Sequence, residues 1–222
     1  MALHELEVLD DADEAARRCA AVIAAAARAA VAERGRFALA LSGGRAPWQA
    51  FRLLAYEEVP WERGELFQVD ERVAPRGDDE RNLTHLIETL PPAAREALRP
   101  MPVERADLAA AARAYAELVP PHIDLVHLGL GPDGHTASLV PGDPVLEVRD
   151  RAVAITRPYQ GRRRMTLTYP VLEAAGALVW LVTGADKAEA LRLLLRGDES
   201  IPAGRVRAAR SLVLADRAAA GG

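Results

Sequence analysis

The sequence predicts an α/β protein with a doubly wound, mostly parallel, Rossmann-like sheet and helices on both faces. Short runs rich in β-branched and bulky residues alternate with helical stretches along the 222 residues, as in that fold class. Several runs are almost continuously apolar, as strands buried on both faces of a parallel sheet are. Glycines and polar residues directly follow four of the runs, and such sheets bind ligands at the carboxyl ends of their strands.

The individual elements follow from the same residue pattern. Strands are predicted for the short apolar runs at 3–9, 37–41, 65–69, 123–130, 152–156 and 177–183. The first helix is predicted to begin near Asp11 and end at Gly35, with Cys19 on its apolar face as a core residue. Further helices are predicted at 47–56, 83–90, 106–118, 170–175 and 185–195, and the final RAAAGG is predicted to be disordered.

Composition and charge limit the classes of protein to consider. Half of the residues are apolar and 27% are charged, which predicts one globular domain over residues 1–222. No apolar run reaches the roughly 20 residues of a membrane span, and the acidic N-terminus is unlike a signal peptide. We therefore expect a cytoplasmic protein without a membrane partner. The net charge of -4 disfavours nucleic acid as a partner, and the 28 basic residues include a single lysine, Lys187.

The loop after the second predicted strand has the composition of an anion site. Ser42, Gly43, Gly44 and Arg45 lead into a helix with Pro47 near its first turn. Glycines let backbone N–H groups approach an anion closely, and a helix N-terminus adds partial positive charge. The loop matches neither the Walker nor the GxGxxG pattern, so it predicts a phosphate site without indicating a nucleotide.

An alternative interpretation makes Ser42 a nucleophile. The residues around it resemble a loosened G-x-S-x-G elbow between a strand and a helix. A hydrolase of that kind needs a histidine late in the chain, whereas the last histidine here is His135, and too few strands precede Ser42. The order of the residues therefore disfavours this alternative.

The segment GLGPDGHTASLVPG, at the end of the fourth predicted strand, is the strongest chemical signal in the sequence. Its glycines form a flexible or tightly turning loop that carries Asp133 and His135. Histidine titrates closest to neutral pH, so His135 is the natural general base or acid, and Asp133 either orients it or contacts the substrate. No histidine pair has the spacing of a zinc site, so no metal is expected.

Cations follow other predicted strands. Arg72 comes just after the third strand, beside Asp70 and before a polar loop that ends at Asn82. An arginine in such a place can bind a phosphate or a carboxylate. One of the three arginines at 162–164 is expected to face the site because the alternating residues MTLT follow them. Lys187 follows the last predicted strand, where a cation reaches the cleft.

Together these segments resemble the 6-phosphogluconolactonase family, within the broader glucosamine-6-phosphate isomerase/deaminase-like superfamily. The matching segments spread over about 150 residues in the family's order, and they are SGGRAP (42–47), VDERVAP with Asn82 (69–82), IDLVHLGLGPDGHTASLVPG (123–142), RRMTLTYPVLEAA (163–175) and VTGADKAEAL (182–191). The chain departs from the family at Ala46, where threonine is usual, and at Val140, where phenylalanine is common.

The resemblance implies hydrolysis of 6-phospho-D-glucono-1,5-lactone to 6-phosphogluconate in the oxidative pentose phosphate pathway, with no metal and no cofactor. On this interpretation His135 is the general base that activates water, Asp133 positions it or a substrate hydroxyl, and Arg72 stabilises the oxyanion. The residues expected to bind the phosphate or the rest of the substrate are Ser42, Gly43, Gly44, Arg45, Asp70, Asn82, Arg164 and Lys187.

Two other functions stay open. The first is a sugar-phosphate isomerase or deaminase, but the deaminases carry Phe-Asn-Glu-Pro where this chain has Ser138-Leu139-Val140-Pro141, without the glutamate. The second is a non-catalytic sugar-phosphate-binding domain of a transcription regulator. Such a regulator would need a helix-turn-helix, for which the first strand, predicted from residue 3, leaves no room. The sequence leaves the oligomeric state open.

Overall fold

A computed structural model describes residues 3–221 and contains two β-sheets packed with helices. In chain order the strands are β1 (Glu5–Leu9), β2 (Phe37–Leu41), β3 (Gly64–Gln68), β4 (Asp70–Arg72), β5 (Leu98–Arg99), β6 (Leu125–Gly129), β7 (Val153–Ile155), β8 (Arg164–Leu167), β9 (Leu178–Val182) and β10 (Ser211–Asp216). The helices are α1 (Ala12–Arg34), α2 (Arg45–Leu53), α3 (Asn82–Thr89), α4 (Pro92–Glu96), α5 (Leu108–Leu118), α6 (Tyr169–Glu173), α7 (Ala188–Arg196) and α8 (Arg217–Ala220).

The larger sheet is parallel throughout and has the spatial order β1-β10-β9-β6-β2-β3-β5. The chain places β3 and β5 on one side of β2, and then returns to place β6, β9 and β10 on the other side. The strand order therefore reverses between β2 and β6, and a doubly wound sheet binds ligands in the crevice at such a reversal. This architecture confirms the predicted fold class.

Alternating side chains of the central strands build two cores, one on each face of the larger sheet. Leu39 of β2 belongs to a core with Ile23 of α1 and Phe51 of α2. Its neighbour Ala40 belongs to the other core, which includes Tyr115 of α5. Successive side chains of a strand point to opposite faces, so the central strands are held by apolar contacts on both sides. The loops at their ends therefore start from a rigid base.

The first helix shows how local signals set the limits of an element. The Asp11 carboxylate accepts a hydrogen bond from the Glu14 backbone N–H at 2.8 Å, and Gly35 ends the helix with a left-handed φ of 73°. Cys19 is fully buried on its apolar face, and burial raises the pKa of the thiol to about 12. The prediction that Cys19 is a core residue is confirmed.

The smaller sheet corrects the sequence prediction in two places. The smaller sheet is antiparallel and has the order β4-β8-β7. The predicted strand at 152–156 is β7, so it belongs to this sheet and not to the parallel one. Asp70–Arg72, predicted as a loop, is a strand as well. The chain passes between the sheets at Val69, whose N–H bonds the Leu41 carbonyl at 2.9 Å and whose carbonyl accepts from Leu167 at 2.8 Å. A local pattern indicates a strand but does not choose its partner.

The structure also corrects the prediction for the end of the chain. The run at 211–216, for which no element is predicted, is β10, and it lies between β1 and β9. Part of the tail predicted to be disordered is α8, whose Ala219 N–H bonds the Asp216 carboxylate at 2.7 Å, while residue 222 lies outside the described residues. A short apolar run carries little signal of its own, and β10 is defined by pairing with strands distant in sequence.

None of the helices between residues 3 and 221 is long and apolar enough to cross a membrane.

Candidate active site

A cleft of about 540 Å³ opens at the carboxyl ends of the central strands, where the strand order reverses. Its walls come from the loops after β2, β6 and β9 and from the smaller sheet. Ten of the eleven predicted site residues line these walls, and they are Ser42, Gly43, Gly44, Arg45, Asp70, Arg72, Asn82, His135, Arg164 and Lys187. The eleventh, Asp133, contacts His135 from beside the cleft. A cleft of this volume suits a small organic ligand.

The loop after β6 holds His135 against Asp133. The Gly131 N–H donates to the His135 carbonyl at 2.8 Å, and the Gly134 N–H donates to the Gly131 carbonyl at 3.0 Å, so the loop closes on itself. The imidazole Nδ1 lies 2.5 Å from Asp133 Oδ1. A Cβ on Gly131 would lie 2.1 Å from that Nδ1, so glycine at this position leaves the ring its place.

The protonation of this pair follows from the carboxylate. The hydrogen bond from His135, together with one from the Tyr159 hydroxyl at 2.8 Å, holds the pKa of Asp133 below its ordinary range despite partial burial. An ionised carboxylate only accepts hydrogen bonds, so His135 Nδ1 carries the proton. In the tautomer with the proton on Nδ1, the lone pair lies on Nε2, which is the arrangement of an oriented general base.

Tyr159 links His135 to Arg164, and sequence reasoning does not find it. Its ring lies edge-on to the His135 ring with 5.5 Å between centroids, and the Arg164 guanidinium lies 4.9 Å from its centre. The residue stands on the turn between β7 and β8, where Gln160 and Gly161 both have positive φ. The available signal is one aromatic residue in a polar turn before an arginine run, a pattern that surface loops also show.

The arginine run at 162–164 divides into residues with different environments. Arg164 begins β8, is only 4% exposed, and its Nε has no hydrogen-bond partner among the described residues. Burial lowers the pKa of its guanidinium. Arg162, by contrast, forms ion pairs with Asp78 and Glu80 and is about one third exposed. A buried guanidinium with an unpaired N–H beside a cleft is suited to an anionic ligand.

Arg72, Asn82 and Asp70 form one hydrogen-bonded cluster at the edge of the smaller sheet. Arg72 Nη1 donates to Asn82 Oδ1 at 2.8 Å, and Asn82 Nδ2 donates to the Asp70 carbonyl at 2.9 Å. The Asp70 carboxylate accepts from the buried Ser138 hydroxyl at 2.5 Å. A Cβ on Gly43 would lie 2.0 Å from Asn82 Oδ1, so the glycine loop packs directly on this cluster.

A buried carboxylate that sequence reasoning does not single out supports this cluster. Glu71 is fully buried and accepts from the backbone N–H groups of Arg72, Asn82 and Leu83 at 2.7–2.8 Å. It also pairs with the buried Arg81 at 3.0 Å. Two of the bonded N–H groups begin α3, so Glu71 caps that helix. A second acid directly after an apolar strand is the sequence signal that was available.

The glycine loop lies at the start of α2. Gly44 is the N-cap and has a φ of 129°, a conformation that glycine adopts without strain. No described side chain caps α2, so its first N–H groups are available to an anion. The hydrogen bond from Lys187 lowers the pKa of Asp186, and the charge of Arg45 adds to this effect. Arg45 and Lys187 therefore lie on the same side of the cleft.

Ser42 contacts a histidine, but not one that can activate it as a nucleophile. Its hydroxyl lies 2.9 Å from Nδ1 of His127 on β6. His127 is fully buried, and burial lowers its pKa to about 3. A general base must become positively charged when it takes a proton from the serine. No carboxylate among the described residues pairs with His127 to stabilise that charge. The nucleophile interpretation is disfavoured by this environment as well as by residue order.

The fold and the cleft together define an α/β protein with a cleft suited to a small anion at the carboxyl end of its sheet and an oriented histidine beside that cleft. Residues 3–221 contain no group of three histidine, cysteine or acidic side chains that could hold a metal ion. Residues 10–214 match the family model of glucosamine-6-phosphate isomerases/6-phosphogluconolactonase. The chain belongs to that family.

Individual relatives agree with the family match. The 6-phosphogluconolactonase of Synechocystis is 38% identical over 177 residues, which cover 73% of this chain and 72% of the relative. That of Mycobacterium tuberculosis is 34% identical over 97% of this chain and 96% of its own length. The crystal structure of 6-phosphogluconolactonase from Thermotoga maritima superposes with a TM-score of 0.87 at 26% identity, over 96% of this chain and 99% of that one.

Proposed function

We propose that this chain hydrolyses 6-phospho-D-glucono-1,5-lactone to 6-phosphogluconate, a step of the oxidative pentose phosphate pathway. The observation that carries the proposal is the His135–Asp133 pair in a cleft that also contains a glycine loop at a helix N-terminus. A phosphorylated lactone needs these two features, a base for water and a site for the phosphate. Relatives at 34–39% identity bear the name of this activity.

In the proposed reaction, His135 Nε2 takes a proton from water while the water oxygen bonds to C1 of the lactone. The C1 oxygen becomes an oxyanion. When this intermediate collapses, the bond between C1 and the ring oxygen breaks, and His135 returns the proton to that oxygen. Asp133 stays ionised and keeps Nδ1 protonated, so Nε2 both takes and gives the proton. These steps need no metal and no cofactor.

Arg72 is proposed to stabilise the oxyanion. Its Nη1 donates to the Glu80 carbonyl at 3.0 Å and to Asn82 Oδ1 at 2.8 Å, which fixes the guanidinium and leaves the rest of its donor fork for a ligand. A positive charge held in place before the reaction needs no reorganisation as negative charge develops. The cluster around Asn82 thus supports the chemistry as well as the fold.

The phosphate is proposed to bind at the glycine loop. Ala46 replaces the threonine that is usual in the family, so backbone N–H groups and cations take a larger share of the phosphate contacts. Binding energy from this remote group would hold the lactone in the orientation for attack. The proposed contacts are Gly43 and Gly44 N–H, Ser42, Arg45, Arg164 and Lys187 for the phosphate, with Asp70 and Asn82 for the rest of the substrate.

The test compares hydrolysis of 6-phosphogluconolactone with hydrolysis of unphosphorylated gluconolactone, each corrected for spontaneous ring opening. We expect a clear preference for the phosphorylated lactone, and loss of most catalysed turnover in His135→Ala without loss of 6-phosphogluconate binding. His122→Ala, in a histidine whose side chain is 53% exposed and outside the cleft, is the matched control. Equal rates on the two lactones would remove the phosphate assignment, and full turnover by His135→Ala would remove the base.

The same preparation distinguishes the other activity in the family description. Release of ammonia from glucosamine 6-phosphate would assign the isomerase branch, and we expect none because the buried stretch 138–140 carries no glutamate. The proposal treats residues 1–222 as one catalytic domain in the cytoplasm, with a small phosphorylated lactone as partner and neither nucleic acid nor membrane. The pairing of β1 with β10 in one sheet supports a single domain.

A further inference from the structure

We propose that His127 is a positioning residue that makes the Ser42 hydroxyl a hydrogen-bond donor toward the phosphate of the substrate. The inference rests on the proposed function and concerns a buried histidine that the reaction itself does not use. Ser42 lines the cleft directly before the glycine loop, at the end of β2. His127 lies on β6, the neighbouring strand across the point where the strand order reverses.

The contact between the two side chains is buried. Ser42 Oγ lies 2.9 Å from His127 Nδ1, Ser42 is 4% exposed and His127 is fully buried. The imidazole meets the ring of Phe51 edge-on at 5.2 Å. Its other nitrogen, Nε2, is buried and has no hydrogen-bond partner among the described residues. Ser42 is therefore the hydrogen-bond partner that the described residues offer this ring.

The two neutral forms of His127 have opposite effects on Ser42. With the proton on Nε2, the serine must donate to Nδ1, and a buried N–H is left without an acceptor. With the proton on Nδ1, the ring donates to Ser42 Oγ, and the hydroxyl proton stays free for a ligand. In the second form Nε2 is instead an unpaired acceptor, and buried acceptors without a partner are less rare than orphaned N–H groups, so the second form is favoured. A phosphate dianion accepts hydrogen bonds only, and it favours the same form further.

The burial of His127 makes this arrangement independent of pH over the working range. Burial keeps its pKa at about 3, so the ring stays neutral and donates one hydrogen bond at neutral pH. Because the ring projects from a central strand and not from a loop, the donor has a fixed position relative to the N-terminus of α2. His127 thereby prepares Ser42 for an anion before the substrate arrives, which lowers the cost of binding.

The protein itself provides a matched control. His4 Nδ1 lies 2.7 Å from the Ser211 hydroxyl, and His4 Nε2 is likewise buried without a partner. This pair lies at the amino end of β10, away from the cleft. Ser211 Oγ also accepts from Trp180 Nε1 at 2.9 Å. Replacing His4 by leucine therefore removes a buried histidine–serine contact without touching the proposed phosphate site.

The experiment measures the ratio of kcat/KM on 6-phosphogluconolactone to that on unphosphorylated gluconolactone. His127→Leu is expected to lower the ratio about three- to tenfold, mainly through KM, since one ordered hydrogen bond is lost. His127→Asn keeps an N–H near the position of Nδ1 and should restore most of the ratio, and His4→Leu should leave it unchanged. In a Ser42→Ala background, adding His127→Leu should produce no further loss, because the two residues act as a unit.

Two results would overturn the role of His127. One is a ratio that His127→Leu leaves unchanged, or that His127→Leu lowers by the same factor in the wild-type and Ser42→Ala backgrounds. The other is a ¹⁵N NMR spectrum of the unmodified protein with bound 6-phosphogluconate that places the proton on Nε2, a measurement that needs no variant to fold. A protein that shows no preference for the phosphorylated lactone would instead overturn the proposed function.

Discussion

Replacing Glu71 tests whether its buried carboxylate stabilises the residues that line the cleft. Oε1 accepts from the N–H groups of Arg72 and Asn82, and Oε2 accepts from Leu83 and pairs with Arg81. Replacing Glu71 with glutamine keeps the shape but leaves a single accepting oxygen. In either orientation of the amide, its NH₂ group lies against at least two hydrogen-bond donors, which are left without an acceptor. Arg81 is 1% exposed and loses its buried carboxylate partner, while it keeps the more exposed Glu104.

The expected cost follows from that burial. Breaking a buried ion pair by removing one partner costs about 3–5 kcal/mol, and that range already includes part of the penalty for the unpaired donors. We therefore expect Glu71→Gln to lower the free energy of unfolding by about 3–5 kcal/mol, out of a typical total of about 5–15 kcal/mol. Glu104 binds the same guanidinium at 2.8 Å but is 41% exposed, so Glu104→Gln should cost about 1 kcal/mol or less.

Urea unfolding of both variants and the wild type, with their m-values compared, measures this difference. Turnover of the phosphorylated lactone is the second readout. Glu71→Gln should lose activity because Arg72 and Asn82 lose the acceptor that holds their backbone, whereas Glu104→Gln should keep it. The substitution and the guanidinium are the same in the two variants, whereas burial and the three backbone N–H bonds to Glu71 differ. Equal losses of stability would refute the argument that burial sets the strength of this pair.

Three further predictions follow from the cleft. Gly131→Ala places a Cβ 2.1 Å from His135 Nδ1 and should lower kcat at least about tenfold, and an unchanged kcat would contradict the packing argument. Asp133→Asn permits the wrong imidazole tautomer and should lower kcat by about a hundredfold or more, so a loss of only twofold would count against the orienting role. As the pH is lowered from about 6.5 to about 3, His127 becomes protonated in the unfolded chain but stays neutral in the folded protein. The free energy of unfolding therefore decreases by about 1.4 kcal/mol for each pH unit in that range. Urea titrations should show a shallower fall in His127→Asn, and equal slopes would mean that the ring is charged in the folded state.

Much of the cleft could be predicted because the polar residues that line it directly follow predicted strands. The residues Ser42–Arg45 and Gly131–His135 each follow an apolar run within a few positions. In a parallel sheet the carboxyl ends of all strands meet at one edge, so loops far apart in sequence converge without any knowledge of their contacts. The same rule placed Arg72 and Lys187 at the cleft from their positions after strands.

Other parts of the site depend on contacts that no local pattern contains. Three adjacent arginines look alike in the sequence, and Arg164 is the inward one because β8 pairs with β4 and β7 in a sheet that the pattern does not predict. Tyr159 reaches Asp133 across 26 positions of chain, and His127 reaches Ser42 across 85. Each of these pairings needs the path of the whole chain.

The sequence by itself determined the fold class, the edge of the sheet where the cleft lies, and most of the polar residues that line it, because apolar runs, glycine turns and the polar residues beside them are local features. The tertiary structure alone decided which side chains are buried together. The neutral state of His127 and the support of Arg72 by Glu71 arise from that burial, and the tautomer of His135 arises from its contact with Asp133, a residue of the same loop that only the folded turn brings against the ring. Hydrogen bonds and charges act strongly where water is excluded, and which residues are shielded from water depends on how the whole chain folds.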